Sequence, residues 1–139
     1  MKAWLIGAAF LIHIAAAAAA PPPPRPWLGM ALTMRTSPSG GRFLYVAQVG
    51  PATPAAKAGI LAGDVITRFG DRAVDFRDQL AIIEFVSTLK IGAKVQVSLT
   101  RAGSQMKKVV IVEPLPPEFE SAWKDTFERA KQDRAASRH

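Results

Sequence analysis

Cysteine is absent from the 139 residues, and histidine occurs only at positions 13 and 139. The first absence excludes disulfides, thiolate nucleophiles and cysteine-ligated metal. The second leaves no imidazole within the body of the chain to act as a base or to complete a histidine-based metal centre. What remains of catalytic chemistry is weak. Asp71, Asp75 and Asp78 read as a turn residue, a helix cap and a first-turn acid rather than as a metal cluster. Ser104 with Lys107 or Lys108 falls on a hairpin turn and does not make a nucleophile–base pair. No catalytic residue, metal ligand or cofactor is expected, and the chain reads as a non-enzyme.

Negative charge is the scarcer sign, with 11 Asp and Glu against 18 Lys and Arg and a formal net charge of +7. The basic residues stand singly, as at Arg35, Arg42, Lys57, Arg68 and Arg101, and the one adjacent pair, Lys107-Lys108, has no interleaved aromatics. This pattern describes a solvated basic surface and predicts no nucleic-acid partner.

The ends of the chain differ in composition from its middle. Residues 1–20 run MKAWLIGAAFLIHIAAAAAA: a positive start at Lys2, an apolar stretch from Ala3 to Ile14, then small residues suited to a signal peptidase. Cleavage within Ala15 to Ala20 would export the remainder to the periplasm or beyond. The competing reading keeps residues 3–20 as an inner-membrane anchor, the one case in which a membrane is a partner. Residues 21–26, PPPPRP, form a stiff polyproline-type linker. Residues 114–139 open on Pro114-Leu115-Pro116-Pro117, which stops the preceding strand, and continue as a helix from Glu118 to about Ala136. Its apolar residues Phe119, Trp123, Phe127 and Ala130 recur at helical spacing on a charged background. Such a stripe either docks on the chain's own domain or serves a partner protein or membrane.

Between the ends, residues 27–113 alternate short β-type runs with turn signals. Leu28–Met34 and Arg42–Val49 are strands about a Gly-rich loop, Thr53 with Pro54 starts a one-turn helix, and Gly59 ends it. Asp64–Phe69 is the next strand, followed by a short one around Ala73-Val74. Asp75 is placed to cap a helix from Phe76 to about Leu89, and Lys94–Arg101 with Met106–Val112 close the region as a hairpin.

Trp27-Leu28-Gly29-Met30, the stretch VAQVGPATPAAKAGILAGDVITRFGDRAV from Val46 to Val74, a helix, Gly92 and a closing hairpin together resemble the PDZ domains attached to bacterial HtrA-type proteases. The most specific element runs from Pro54 to Ile66 and matches the family's P-A-x-x-A-G-[LI]-x-x-G-D-x-I pattern throughout. Two departures stand out: Phe69-Gly70 replaces the usual Asn-Gly, and the segment from Gly70 to the helix is slightly long. The resemblance implies an α+β fold, a partly open antiparallel β-barrel or sandwich of five to six strands with two helices, here followed by the C-terminal helix. The family's catalytic Ser, His and Asp lie in a separate upstream domain, for which this sequence has no room.

The resemblance also implies a site. In such domains a peptide, usually a free C-terminus, adds as a strand beside the second helix, and its carboxylate enters a concavity of backbone N–H groups. Here those are the amides of Leu28, Gly29 and Met30. Trp27, Leu32 and Met34 are the groove residues expected before and along the strand. The helix has two apolar stripes: Phe76, Leu80 and Ile83 continuing to Ser87, and Ile82, Phe85, Val86 and Leu89. The second is the larger and is assigned to the core, which leaves Leu80 and Ile83 facing the groove; exchanging the two would give an equally amphipathic helix. A pocket of Leu, Met and Ile predicts apolar C-termini as ligands, bound in roughly the micromolar range. The expected partners are protein C-termini or extended peptides of envelope or secreted proteins, with a separate protease as a candidate for an adaptor or quality-control role. The alternatives are an assembly protein acting through Phe119, Trp123 and Phe127, or a membrane-tethered sensor.

Overall fold

The computed structural model describes residues 23–138, so the expected signal or anchor segment at 1–20 lies outside the described residues. In chain order the elements are β1 (Pro26–Trp27), β2 (Met30–Thr36), β3 (Arg42–Val49), α1 (Pro54–Lys57), β4 (Val65–Phe69), β5 (Arg72–Ala73), α2 (Gln79–Ser87), β6 (Lys94–Arg101), β7 (Ser104–Ile111), β8 (Glu113–Pro114), a 3-10 turn (Pro117–Phe119) and α3 (Glu120–Ala136). One antiparallel sheet has the order β2-β3-β4-β6-β7, with β5 paired to β4, and β1 pairs separately with β8. The sheet stays open, with β2 at one edge and β7 at the other. The fold is the α+β arrangement expected, without barrel closure.

The alternation that marks the strands also builds the core. Leu44 and Val46 of β3, Ile66 of β4, Val97 and Leu99 of β6 and Val110 of β7 are all buried and point to one side. Phe85 of α2 covers them, its ring 5.2 Å from that of Phe69 and 5.4 Å from that of Phe76. The β6–β7 turn is two residues long, and both Ala102 and Gly103 take positive φ, the geometry that suits the right-handed strand twist.

The stretch from Pro54 to Ile66 is organised around one carboxylate. Asp64 is 1% exposed and forms a forked pair with Arg101, Nε to Oδ1 and Nη2 to Oδ2, each at 2.8 Å. Arg101 also donates to the Gly59 carbonyl, and the Leu61 amide donates to Asp64. The Asp of the signature thus ties the end of α1 to β6, and its hydrogen bonds with Arg101 hold its pKa below the ordinary carboxylate value.

Two expectations are corrected. Asp75 does not cap α2, because Arg42 pairs with it at 3.4 Å and donates to the carbonyls of Phe76 and Arg77, holding residues 75–77 as a loop. Asp78 caps the helix instead, its side chain accepting from the Ala81 amide at 2.9 Å. At the other end, Pro114 does not fall outside all strands: Pro26 and Pro114 lie opposite each other in the β1–β8 ribbon. Neither can donate, and the Leu115 amide bonds to the Arg25 carbonyl just beyond them.

The helix α3 docks on the domain. Arg134 grips Asp78 through two hydrogen bonds of 2.8 and 2.7 Å and reaches Glu84 at 3.3 Å, so α3 is tied to the cap of α2 and to a residue within the helix. Beside this clamp Ala130 is buried. The first turns of α3 pack against the start of the domain, with Phe119 stacked on Trp27 at 5.7 Å and the Arg25 guanidinium 3.7 Å above the Trp123 ring.

Candidate functional site

An apolar cavity of about 560 Å³ opens between β2 and α2, in the size range of small-molecule and peptide sites. Its floor is the loop from Trp27 to Met30 with Leu32 of β2. One side is the helical stripe Gln79, Ile82, Ile83 and Val86; the end beside the loop is closed by Phe119 of the 3-10 turn and by Ala122 and Trp123 of α3.

The loop is held from behind. The Leu28 carbonyl accepts from the Ala55 amide at 2.9 Å, and the Gly29 carbonyl accepts from the Gly50 amide at 3.0 Å. In a planar trans peptide the C=O and the following N–H point in opposite directions. With both carbonyls turned inward, the amides of Gly29 and Met30 are aimed away from α1 and β3, on the side where the cavity lies.

Gly29 is required here by its neighbours as well as by its own backbone. Its φ is +75°, and a Cβ would collide with the side chain of Thr53. Thr53 is buried, donates to the Gly50 carbonyl at 2.7 Å and accepts from the Ala56 amide at 3.2 Å as the cap of α1. One threonine therefore joins the short helix to the loop.

The residues singled out from sequence fall in three groups. Trp27, Leu28, Gly29, Met30, Leu32 and Ile83 line the cavity, as do Phe119 and Trp123. Leu28 and Leu32 are also members of the core cluster, so their side chains support the site while their backbone forms it. Met34 packs against the core but is absent from the cavity wall, and Phe127 lines a neighbouring recess with Ser87 and Glu84.

Leu80 is a correction. It is buried at 7% exposure yet belongs neither to the cavity wall nor to the main core cluster. Its helical neighbours Glu84 and Ser87 look toward α3, and Leu80 shares that flank. Phe76, expected on the groove side, is in the core; the stripe expected in the core is there, with Ile82 and Phe85 in the core cluster and Val86 and Leu89 packed on it, and Ile82 and Val86 line the cavity as well. Gln79-Ile82-Ile83-Val86 has the i, i+3, i+4, i+7 spacing of a single helical face and is readable as such once the helix starts at Asp78.

Gln79 had no sequence signal. Its side-chain amide donates to the Leu32 carbonyl at 3.0 Å, crossing the groove from α2 to the edge strand. It occupies a backbone acceptor that an added strand would use.

A family model described as PDZ domain matches residues 26–112. The periplasmic serine endoprotease DegP of Escherichia coli (strain K12) is 40% identical over 65 residues, 47% of this chain and 13% of DegP. Among solved structures, the HtrA-type protease AlgW with decapeptide shares 27% identity at a TM-score of 0.58, over 68% of this chain and 30% of that one. A serine endoprotease of Yersinia pestis gives 25% and 0.54, over 67% and 30%. The HtrA3 PDZ domain bound to a phage-derived ligand, FGRWV, has a TM-score of 0.54 at 21% identity, over 66% and 88%, a likeness of fold. The chain thus spans less than a third of the proteases it resembles.

Proposed function

This chain belongs to the PDZ domain family, and from that premise we propose that it captures the apolar C-termini of other proteins by strand addition in the groove between β2 and α2. The observation that carries this reading is the loop geometry. Two carbonyls buried against α1 and β3 leave the Gly29 and Met30 amides aimed outward, beside an apolar cavity and an unpaired sheet edge. A carboxylate suits the amides, an apolar side chain suits the cavity, and an extended backbone suits the edge of β2. The inward carbonyls of Leu28 and Gly29 fix the direction of the Gly29 and Met30 amides, and the anion site is argued on those two.

The module is a binding protein in this reading, not a catalyst. The likeness to periplasmic DegP and the apolar leader at 1–20 support an exported protein that meets envelope clients, as an adaptor to a separate protease or in quality control. AlgW is seen with a decapeptide and the HtrA3 PDZ domain with FGRWV, which supports a peptide as ligand.

Titration with fluorescent decapeptides of one body, ending in Leu as free acid or as amide, tests the proposal. The free acid is expected to bind at roughly micromolar Kd, and the amide at least ten-fold more weakly. Equal binding of the two forms would remove the carboxylate role.

A further inference from the structure

The PDZ match ends at residue 112, and α3 begins at Glu120. The cavity nevertheless includes Phe119, Ala122, Trp123 and Thr126, none of which belongs to the matched region. These side chains stand at one particular end. Trp27, two residues before Gly29, stacks on Phe119, while Trp123 shares a recess with Ser87 at the C-terminal end of α2. Gln79 and Leu32 mark the opposite end of the groove. A strand antiparallel to β2 that finishes at the loop would therefore place its last residue against α3.

The wall is apolar, and it is incompletely covered. Trp123 has the Arg25 guanidinium on its ring at 3.7 Å and Phe127 stacked at 5.1 Å. Phe119 has Trp27 as its stacked neighbour, yet remains 46% exposed. A large aromatic on a concave surface beside a strand edge is apolar area that a ligand would remove from water.

We propose that the first turns of α3 are part of the ligand site: they close the loop end of the groove and add Phe119 and Trp123 to the pocket of the ligand's last side chain, which makes the module selective for peptides ending in a large aromatic residue. This rests on the peptide-binding reading and deepens it. Aromatic pairing and the extra buried area favour a final Phe over a final Ala. The clamp of Arg134 on Asp78 and Glu84 keeps the wall in place.

The test uses the full chain and fluorescent decapeptides of one body ending in Phe or Ala as free acids. Wild type is expected to prefer Phe by about ten-fold or more. In F119A and W123A the preference should shrink to about three-fold or less. A122L, which fills the cavity from an exposed position and leaves both aromatics intact, should weaken Phe binding several-fold. Circular dichroism verifies that each variant retains its fold. An unchanged preference in all three variants would overturn the inference, as would tighter binding of both peptides by F119A and W123A, the result for a helix that merely covers the groove. Loss of the underlying reading looks different: wild type would bind neither peptide, or would bind each equally as acid and amide.

Discussion

Two arginine–aspartate forks of nearly the same geometry hold different parts of this molecule. Arg101 meets Asp64 at 2.8 and 2.8 Å; Arg134 meets Asp78 at 2.8 and 2.7 Å. Asp64 is sealed at 1% exposure inside the matched PDZ region, where it also receives the Leu61 amide. The Asp78 side chain is 27% exposed and joins the domain to a helix outside that region. The difference in burial means that the same bond has opposite roles. A buried charge that loses its partner is left without solvent, whereas a partly exposed one is rehydrated. The first fork is therefore a condition of folding and the second a condition of docking.

The largest effect should come from breaking the buried fork. Asp64→Ala strands the Leu61 amide and removes the link between α1 and β6, and is expected to cost about 3 kcal/mol of global stability, read from urea denaturation. Next is Arg134→Ala. It should leave the urea midpoint close to wild type while amide hydrogen exchange across Glu120–Ala136 speeds up by about ten-fold or more, since only a local opening is made easier. A common loss of protection in the sheet and in α3 would mean that the two forks are not separable.

Acid sharpens the same contrast. Hydrogen bonding to Arg134 lowers the Asp78 carboxyl from 3.8 to about 2. Its contribution is complete above the free value and is lost as pH falls through about 2, so protection of α3 should decline between about pH 4 and pH 2. Exchange measured down this range in wild type and R134A tests the cause, because the variant should lose the Arg134-dependent part of the decline. The smallest effect concerns the groove itself. Gln79→Ala releases the Leu32 carbonyl for a ligand strand and should raise affinity for a Leu-ending peptide a few-fold, the scale of one net hydrogen bond. Weaker binding in fluorescence titration would instead give Gln79 a direct contact with the ligand.

Much of the fold was legible because its signals are local. Thr53-Pro54 announces α1, Gly59 ends it, and the alternation from Lys94 to Arg101 places β6 to the residue. The loop Trp27–Met30 was legible for the same reason: a glycine with forced geometry leaves a fixed mark in sequence. The α2 assignments were not. Asp75 and Asp78 both suit a cap, and only the position of Arg42, more than thirty residues earlier, decides between them. Leu80 leaves the groove, and Ile82 lines it while remaining in the core, because α2 has three faces in contact with protein, toward the sheet, the groove and α3. A periodicity argument yields two apolar stripes, one for the core and one for the groove, so it had no third face to which Leu80 could be given.

By itself, then, the sequence determined the PDZ core, its one-turn helix and the loop that opens the groove, since turn chemistry and strand alternation act over a few residues and tolerate little else. Only the tertiary structure decided what stands at the end of that groove. Phe119 and Trp123 are ninety or more residues from Gly29 along the chain, and nothing in their spacing says whether the stripe they form meets solvent, a partner or this domain. That choice is made by side chains distant in sequence, Arg134 on Asp78 and Trp27 on Phe119, whose pairing exists only once the sheet has brought them together.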